Sequence, residues 1–458
     1  SDQSGMDEAT QAALERQAQD LIERARQKGA DAAEALVSKS RDLSVRVRLG
    51  EVERVEEAGS HSAGLRVMLG DRSASASTND LSPHGLEVLV EDALEMARLA
   101  EADPMGRPAD PDQLATTFPE LDLFDPALGT FDATAATEWA MRAEDAARAH
   151  DARITNCEGA SCARTVGAFA FATMGGFAGG YPASFASISV QPLADDVDGK
   201  KRTASHWDAR RHLADLAAPE GVGVEAARRT VLRLGAAKIP TAELPVVFDP
   251  DAGRALLGAL FGCLAGSSVY RRSTYLMGRE GTPIASPLVT IVDDPLIPRL
   301  FGSRPFDGDG LPARRNVVVE DGTLKTFLFD LYSARKLERQ STGSAGRGLS
   351  RPSVTSSNFH LLPTDVAPEA IIGDTKHGLY VTSMMGFGFN PVTGDFSRGA
   401  EGFVIRNGRL EESVGEITIS ANFDDLFKDI DAVASDLDPK SKVACPTFRV
   451  AKMTVSGT

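Results

Sequence analysis

The sequence predicts an α+β protein of two domains: an N-terminal α/β domain with antiparallel hairpins and flanking helices over residues 1–239, and a mostly antiparallel β domain with few helices over 240–458. Three observations carry this expectation. Segments of helical period alternate with segments of period two in the first half. From Pro287 onward short apolar runs dominate, punctuated by Asp-Gly turn signals. A chain of 458 residues exceeds what one core supports, and at 42% hydrophobic it has enough apolar material for two.

Residues 8–28 read as an amphipathic helix, because Ala12, Leu14, Leu21, Ile22 and Ala25 recur at near-helical spacing and Gly29 suits its end. Three strand-like runs follow: Ala35 to Val37, Leu43 to Leu49 with alternating apolar and polar residues, and Gly64 to Leu69. Gly50-Glu51 and Gly70-Asp71 mark turns between them, so one wet face is expected. Helical patterns return at Gly85 to Ala102 and at Ala133 to His150, the second opening after Asp132 as N-cap. Between them, Asp103 to Gly129 carries Pro104, Pro108, Pro111, Pro119 and Pro126 and reads as a long surface connection. Ala160 to Val190 reads as closely packed strands, Gly221 to Leu234 as a helix, and Ala237 to Pro240 as the linker.

The second domain opens with a strand, Leu244 to Phe248, and a helix, Ala252 to Leu264, capped by Asp249 or Asp251. Turns are expected at Asp293-Asp294, Asp307 to Gly310 and Asp321-Gly322, and further helices at Leu331 to Glu338 and near Asp424 to Ile430. In Gly378 to Asp425, apolar runs flank an irregular loop in which Gly386, Gly388 and Gly394 permit backbone angles closed to other residues. Asn407-Gly408 is a tight hairpin signal.

The formal net charge of −16 argues against direct nucleic-acid binding, which relies on lysine and arginine displacing counterions; docking to a basic protein stays open. The polar, acidic N-terminus lacks the pattern of a secretory signal, and no apolar run reaches membrane-spanning length. A cytoplasmic protein is expected. The residues before Met6 read as an extraneous leader. Cys157, Cys162, Cys263 and Cys445 fit reduced thiols, with Cys263 a small hydrophobe inside a helix.

Catalytic signals are weak. Among the seven histidines only His206 and His212 are close, and six residues apart is a poor spacing for two ligands. No GxSxG elbow exists. Asp293-Asp294 and Asp307/Asp309 read first as turn residues, and Met174 to Gly180 lacks a phosphate-binding pattern. Ser341 to Ser353, with Arg347 and Arg351, reads as a surface loop, or as one that orders on a substrate or partner.

The runs NPVTGDFSRGAEGFVIRNG (390–408), EITISANFDDLF (416–427) and VTSSNFHL (354–361) resemble the TldD/PmbA family, specifically its PmbA (TldE) branch. That family pairs a zinc-protease subunit carrying HExxxH with a related subunit that lacks it. Here the corresponding helix reads ALLGALFGCLAGSSVYRRSTYL, which places Leu257, Gly258 and Gly262 at the motif positions. None can bind zinc or move a proton. Small residues at Gly258, Gly262, Ala265 and Gly266 suit either tight core packing or a strand or partner laid against the helix. The resemblance implies a zinc-free subunit of a peptidase acting on unfolded peptides, no cofactor on this chain, zinc in an HExxxH-bearing partner, and a heterodimer or a homodimer. Ser356, Ser357, Asn358, Met384, Met385, Gly386 and Gly388 are the expected lining of a peptide chamber. The alternative is a regulatory protein binding DNA gyrase, as the family's older name, modulator of DNA gyrase, suggests.

Overall fold

The computed structural model describes residues 6–457, so the reading of residues 1–5 as a leader lies outside the described residues. The first helix, α1 (Glu8–Gln27), forms where expected: the Asp7 carboxylate accepts from Thr10 N at 2.8 Å, and Gly29 leaves the helix at φ +97°. Strands β1 (Ala32–Arg48) and β2 (Glu51–Leu69) are longer than the three expected runs. The polar stretch Ser38–Asp42 keeps its place in the ladder against β2, from Ser62 to Ala58, although its side chains show no apolar alternation. Strand pairing is a backbone matter, and side-chain periodicity cannot see it where one face is wet. Leu49 and Gly50, both at positive φ, make the two-residue turn between them.

There follow β3 (Arg72–Thr78), α2 (Pro83–Leu99), the short α3 (Pro126–Gly129), α4 (Ala133–His150), β4 (Ile154–Thr173), β5 (Ala178–Asp195), β6 (Lys201–Thr203), β7 (His206–Arg210) and α5 (Pro219–Leu232). Asp132 caps α4 as expected, accepting from Ala135 N at 2.9 Å. The strands form one antiparallel sheet in the order β3-β2-β1-β4-β5-β6, with β7 also on β5. Its two faces differ by residue parity. Ala35, Val37, Val45, Cys162, Val166 and Ile188 pack under the helices, whereas Leu36, Phe169, Phe171 and Tyr181 point away from them, towards Phe306.

The second half runs β8 (Ala242–Phe248), α6 (Pro250–Leu264), α7 (Gly266–Tyr270), β9 (Ile291–Asp293), β10 (Asn316–Glu320), β11 (Thr323–Leu324), α8 (Leu331–Lys336), β12 (Ala345–Gly346), β13 (Ser353–Val354), β14 (Phe359–Leu361), α9 (Pro368–Gly373), β15 (His377–Met385), β16 (Asp395–Arg406), β17 (Arg409–Asn422), α10 (Phe423–Lys428), β18 (Ile430–Val433), β19 (Val443–Ala444) and β20 (Phe448–Ser456). A six-stranded sheet orders as β17-β16-β15-β8-β20-β18 and a five-stranded one as β11-β10-β9-β14-β19. Pairing is antiparallel except β15 with β8 and β14 with β19. Asp249 Oδ1 caps α6 through Ala252 N at 2.8 Å, and Asn407-Gly408, at φ +51° and +76°, turns β16 into β17. The Asp321-Gly322 turn is likewise observed, joining β10 to β11.

Two large apolar clusters result, one from Met6 to Ala227 and one from Leu244 to Val455. The proline-rich connection is more than a surface strap between α2 and α4. It laces the halves together: Tyr332 OH donates to Asp103 Oδ2 at 2.8 Å, Arg335 donates to the carbonyls of Met105 and Pro108, and Arg299 pairs with Asp122 at 2.7 Å. Among the described residues no helix is long and apolar enough to cross a membrane.

Candidate functional site

Helix α6 has a buried and an open side, and the positions of interest straddle them. Leu257 is fully buried in the second core, while Gly258 and Gly262 are exposed. A methyl group added at either glycine would meet nothing within 4 Å. Tight packing within the chain therefore explains Gly266, whose added Cβ would sit 2.5 Å from Phe329, but not Gly258 or Gly262. Leu257 offers a metal only methyl groups and the two glycines offer nothing, so these positions do not fit a zinc ion. No group of three His, Cys, Asp or Glu able to hold a metal occurs among the described residues. His360 is buried and His206 half-buried, and desolvation pushes each down to about 4, so both rings are neutral at pH 7. Because Gly258 and Gly262 are exposed and strain-free, Gly258→Ala and Gly262→Ala are each expected to stabilise the isolated chain by about 0.5–1 kcal/mol in urea denaturation.

The seven residues expected to line one chamber do not converge. Ser356 lines a cavity of about 640 Å3 between the halves, and Met384 and Met385 line a second cavity of similar size. Gly386 and Gly388 lie exposed beyond β15. Ser357 and Asn358 line neither cavity; they are fixed inside the second core. Asp293 accepts from Ser357 N at 2.9 Å and Ser357 Oγ at 2.8 Å. Asn358 Nδ2 donates to Asp294 O at 2.8 Å and to Ser303 Oγ at 2.9 Å, while its Oδ1 accepts from Gly302 N at 2.9 Å. An amide so placed holds a loop rather than a substrate. Asn358→Ala is expected to destabilise the chain by about 1–3 kcal/mol, because the Gly302 N–H is left buried without an acceptor. Equilibrium urea unfolding reads it.

The second cavity opens between α5, the N-terminal half of α6 and β15. Thr203, Trp207, Arg229, Arg233, Ala255 and Met385 are among its walls. Its charges are paired except Arg254, which donates to Ser441 Oγ and stands over the Trp207 ring. Arg233 meets Glu401 at 2.9 Å and donates to Ser383 Oγ at 3.0 Å, and Arg229 contacts Glu225 at 2.9 Å and Asp249 at 3.5 Å. Burial and the neighbouring Asp251 push Asp249 up to about 7, against the Ala252 N–H and Arg229, which favour the anion. Both its oxygens are engaged, one capping α6 and one facing Arg229. Ala255, in the lining, sits one turn before Gly258 and Ala259, on the same side of α6.

Sequence reasoning missed the ionic cluster under the first cavity. Glu34, on the inside of β1, is 1% exposed and bridges Arg66 and Arg347, each at 2.7 Å. Arg347 lies in the stretch Ser341–Ser353, so that stretch is only partly a surface loop. Thr342, Ser344 and Ala345 are buried, and Arg347 Nε donates to Gly308 O at 2.7 Å. Asp307 does form the expected turn, its carboxylate accepting from the N–H groups of Asp309, Leu311 and Ala345, but inside the protein. Asp293 ends strand β9 as a buried anchor rather than an exposed turn residue. All four cysteines are buried and unpaired, and burial pushes the thiols of Cys157, Cys162 and Cys263 up to about 12.

Comparison with known proteins adds a family. Residues 33–97 match the model of PmbA/TldA metallopeptidase domain 1, residues 126–234 that of the central domain, and residues 241–457 that of the C-terminal domain. The chain is 38% identical to the metalloprotease PmbA of Escherichia coli O157:H7, over 93% of this chain and 92% of that protein. It is 34% identical to the metalloprotease PmbA homolog of Haemophilus influenzae, over 95% and 94% of the two chains. Among solved structures, a Bacteroides thetaiotaomicron protein described as a candidate modulator of DNA gyrase superposes with a TM-score of 0.91 at 25% identity, covering 99% of this chain and 100% of that one.

Proposed function

The chain belongs to the PmbA/TldA metallopeptidase family, and from that premise we propose that it is the zinc-free subunit of a two-subunit peptidase that acts in the cytoplasm on unfolded peptides. One observation carries the reading: on α6, Leu257 is buried hydrocarbon and Gly258 and Gly262 have no side chain, so these three positions offer neither ligands nor a base. The partner supplies an HExxxH helix, whose bound zinc would acidify and orient the hydrolytic water. This chain contributes the cavity beside Met384 and Met385 and the open side of α6, where a partner backbone meets no steric barrier. A pair of two copies of this chain, lacking the motif twice, is expected to be inactive.

Mixing this chain with an HExxxH-bearing relative from the same organism and digesting an unfolded peptide tests the proposal. Cleavage that neither protein shows alone, and that a chelator abolishes, is expected. Met384→Ala with Met385→Ala should lower it without unfolding the chain. Gly258→Ala and Gly262→Ala should weaken pairing while stabilising the free chain. Inactivity of the mixture, with direct capture of DNA gyrase by this chain, would replace the proposal with the regulatory reading.

A further inference from the structure

The first cavity brings together three cations that form no ion pair among the described residues, although Asp293 and Asp307 lie within electrostatic reach of Arg304. Its floor is the helix-free face of the first sheet, where Phe169 stands between Ser38 and Tyr181 across the ladder and Phe171 faces Leu36. Phe306 descends from the second half onto this floor, 4.9 Å from Phe177, 5.8 Å from Tyr181 and 6.1 Å from Phe169 between ring centroids. Over this aromatic base stand Arg211, Arg304 and Lys442.

Arg211 spends its guanidinium on neutral acceptors, donating to the carbonyls of Leu300 at 3.0 Å and Phe301 at 2.7 Å. Arg304 donates only from Nη1, to Thr355 Oγ1 at 3.1 Å; its Nε and Nη2 are buried with no acceptor. Those two nitrogens form the edge that carboxylates engage in a bidentate fork. Among the described residues, none of the three cations forms an ion pair, and the Lys442 ammonium has no hydrogen-bond partner. Lys442 is exposed at the cavity mouth, and partial desolvation, with Arg304 and Arg211 nearby, lowers its pKa against the pull of Asp293.

The carboxylates around this group are already employed. Asp307, in the lining, accepts three backbone N–H groups, and Asp293, behind Lys442, is held by Ser357. Glu34 is saturated by Arg66 and Arg347. A buried guanidinium edge without an acceptor is a costly arrangement that an anionic ligand would relieve.

We propose that this cavity binds the C-terminal residue of a peptide, its carboxylate among Arg211, Arg304 and Lys442 and its large apolar side chain against Phe169, Tyr181 and Phe306. The volume of about 640 Å3 falls inside the ~300–1,000 Å3 range of small-ligand sites and holds the end of a peptide rather than a folded segment. A single negative charge suits the site better than a phosphate dianion, because Asp307 shares the lining. A chain end needs one way in, past the exposed rim of Gly348, Ser350 and Arg351, whereas an internal acidic residue would need two. That the ligand is a peptide rests on the function proposed above; the pairing of anion with aromatic floor does not.

Titration calorimetry on this chain alone, with Ala-Ala-Phe as free acid, as C-terminal amide, and with inorganic phosphate, tests it. The acid is expected to bind at least about tenfold tighter than the amide and than phosphate. Arg304→Gln and Lys442→Met, each checked for an unchanged melting profile, should each lose about tenfold of the acid's affinity. Equal binding of acid and amide, preference for phosphate, or no binding of the acid would overturn the assignment. Digestion of a C-terminally amidated peptide by the reconstituted pair separates the two claims. Cleavage without acid binding removes the pocket and keeps the subunit function; acid binding without cleavage does the reverse.

Discussion

Glu34→Ala is expected to destabilise the chain by about 3–5 kcal/mol, because it strands two buried guanidinium groups that the carboxylate now bridges. Arg66 and Arg347 are each 6% exposed, so water cannot take over the lost role. Arg66 keeps one acceptor, the Gly106 carbonyl, and Arg347 keeps the Gly308 carbonyl, but neither carries charge. Because Glu34 lies in the first half and Arg347 in the second, the loss also loosens the wall of the cationic cavity. Urea unfolding followed by circular dichroism reads the effect, and the variant's response to acid provides a second signature. Burial pushes Glu34 up, but Arg347 and Arg66 outweigh it and hold its carboxyl below the ordinary value of 4.5. A depressed acid stabilises the fold fully above that ordinary value and loses its contribution as pH falls through the folded-state value. The parent chain should therefore lose more stability than Glu34→Ala between about pH 5 and about pH 3. Asp307 and Asp309 act in the opposite sense, since burial raises both and their ionisation opposes folding as pH rises.

Gly402→Ala is the second large effect. Gly402 is buried in β16, where β15 and β17 flank it and the register of both ladders shifts. An added Cβ would lie 1.8 Å from Tyr380 O and 2.8 Å from Tyr380 C, both backbone atoms of the neighbouring strand. No rotamer relieves a backbone clash, so the strands must separate. A loss of about 3 kcal/mol is expected, the upper end of overpacking costs. Gly258→Ala, with nothing in its way, should move stability in the opposite direction, so the two glycine variants in one denaturation series show which glycines the fold requires and which it leaves free.

What could be read from the sequence was local. Asp132 and Asp249 announced their helices because a cap and its N–H lie three residues apart. Asn407-Gly408 announced its hairpin because the turn needs two residues at positive φ. The long β1–β2 ribbon was only half visible, since Glu51–Ser60 is exposed throughout and carries no apolar period. The candidate site was less legible still. Ser356 and Met384, both flagged by motif, lie on different cavities, and Ser357 and Asn358 turned inward to Asp293, Asp294 and Gly302. Arg211, Arg304 and Lys442 are unremarkable single residues until the fold gathers them, and no short-range pattern links positions so far apart. Only Arg347 had a local cue, in its glycine-rich loop, and its partner Glu34 is 313 positions away.

The proposal that hydrolytic chemistry lies in a partner rather than in this chain is tested most directly by metal analysis after zinc saturation and gel filtration, performed on this chain alone and after mixing with an HExxxH-bearing relative. Bare α6 positions Leu257, Gly258 and Gly262 predict no stoichiometric zinc on this chain, and zinc together with peptide cleavage in the mixture, both lost when the partner's motif is changed. Stoichiometric zinc and chelator-sensitive cleavage by this chain alone would contradict the account.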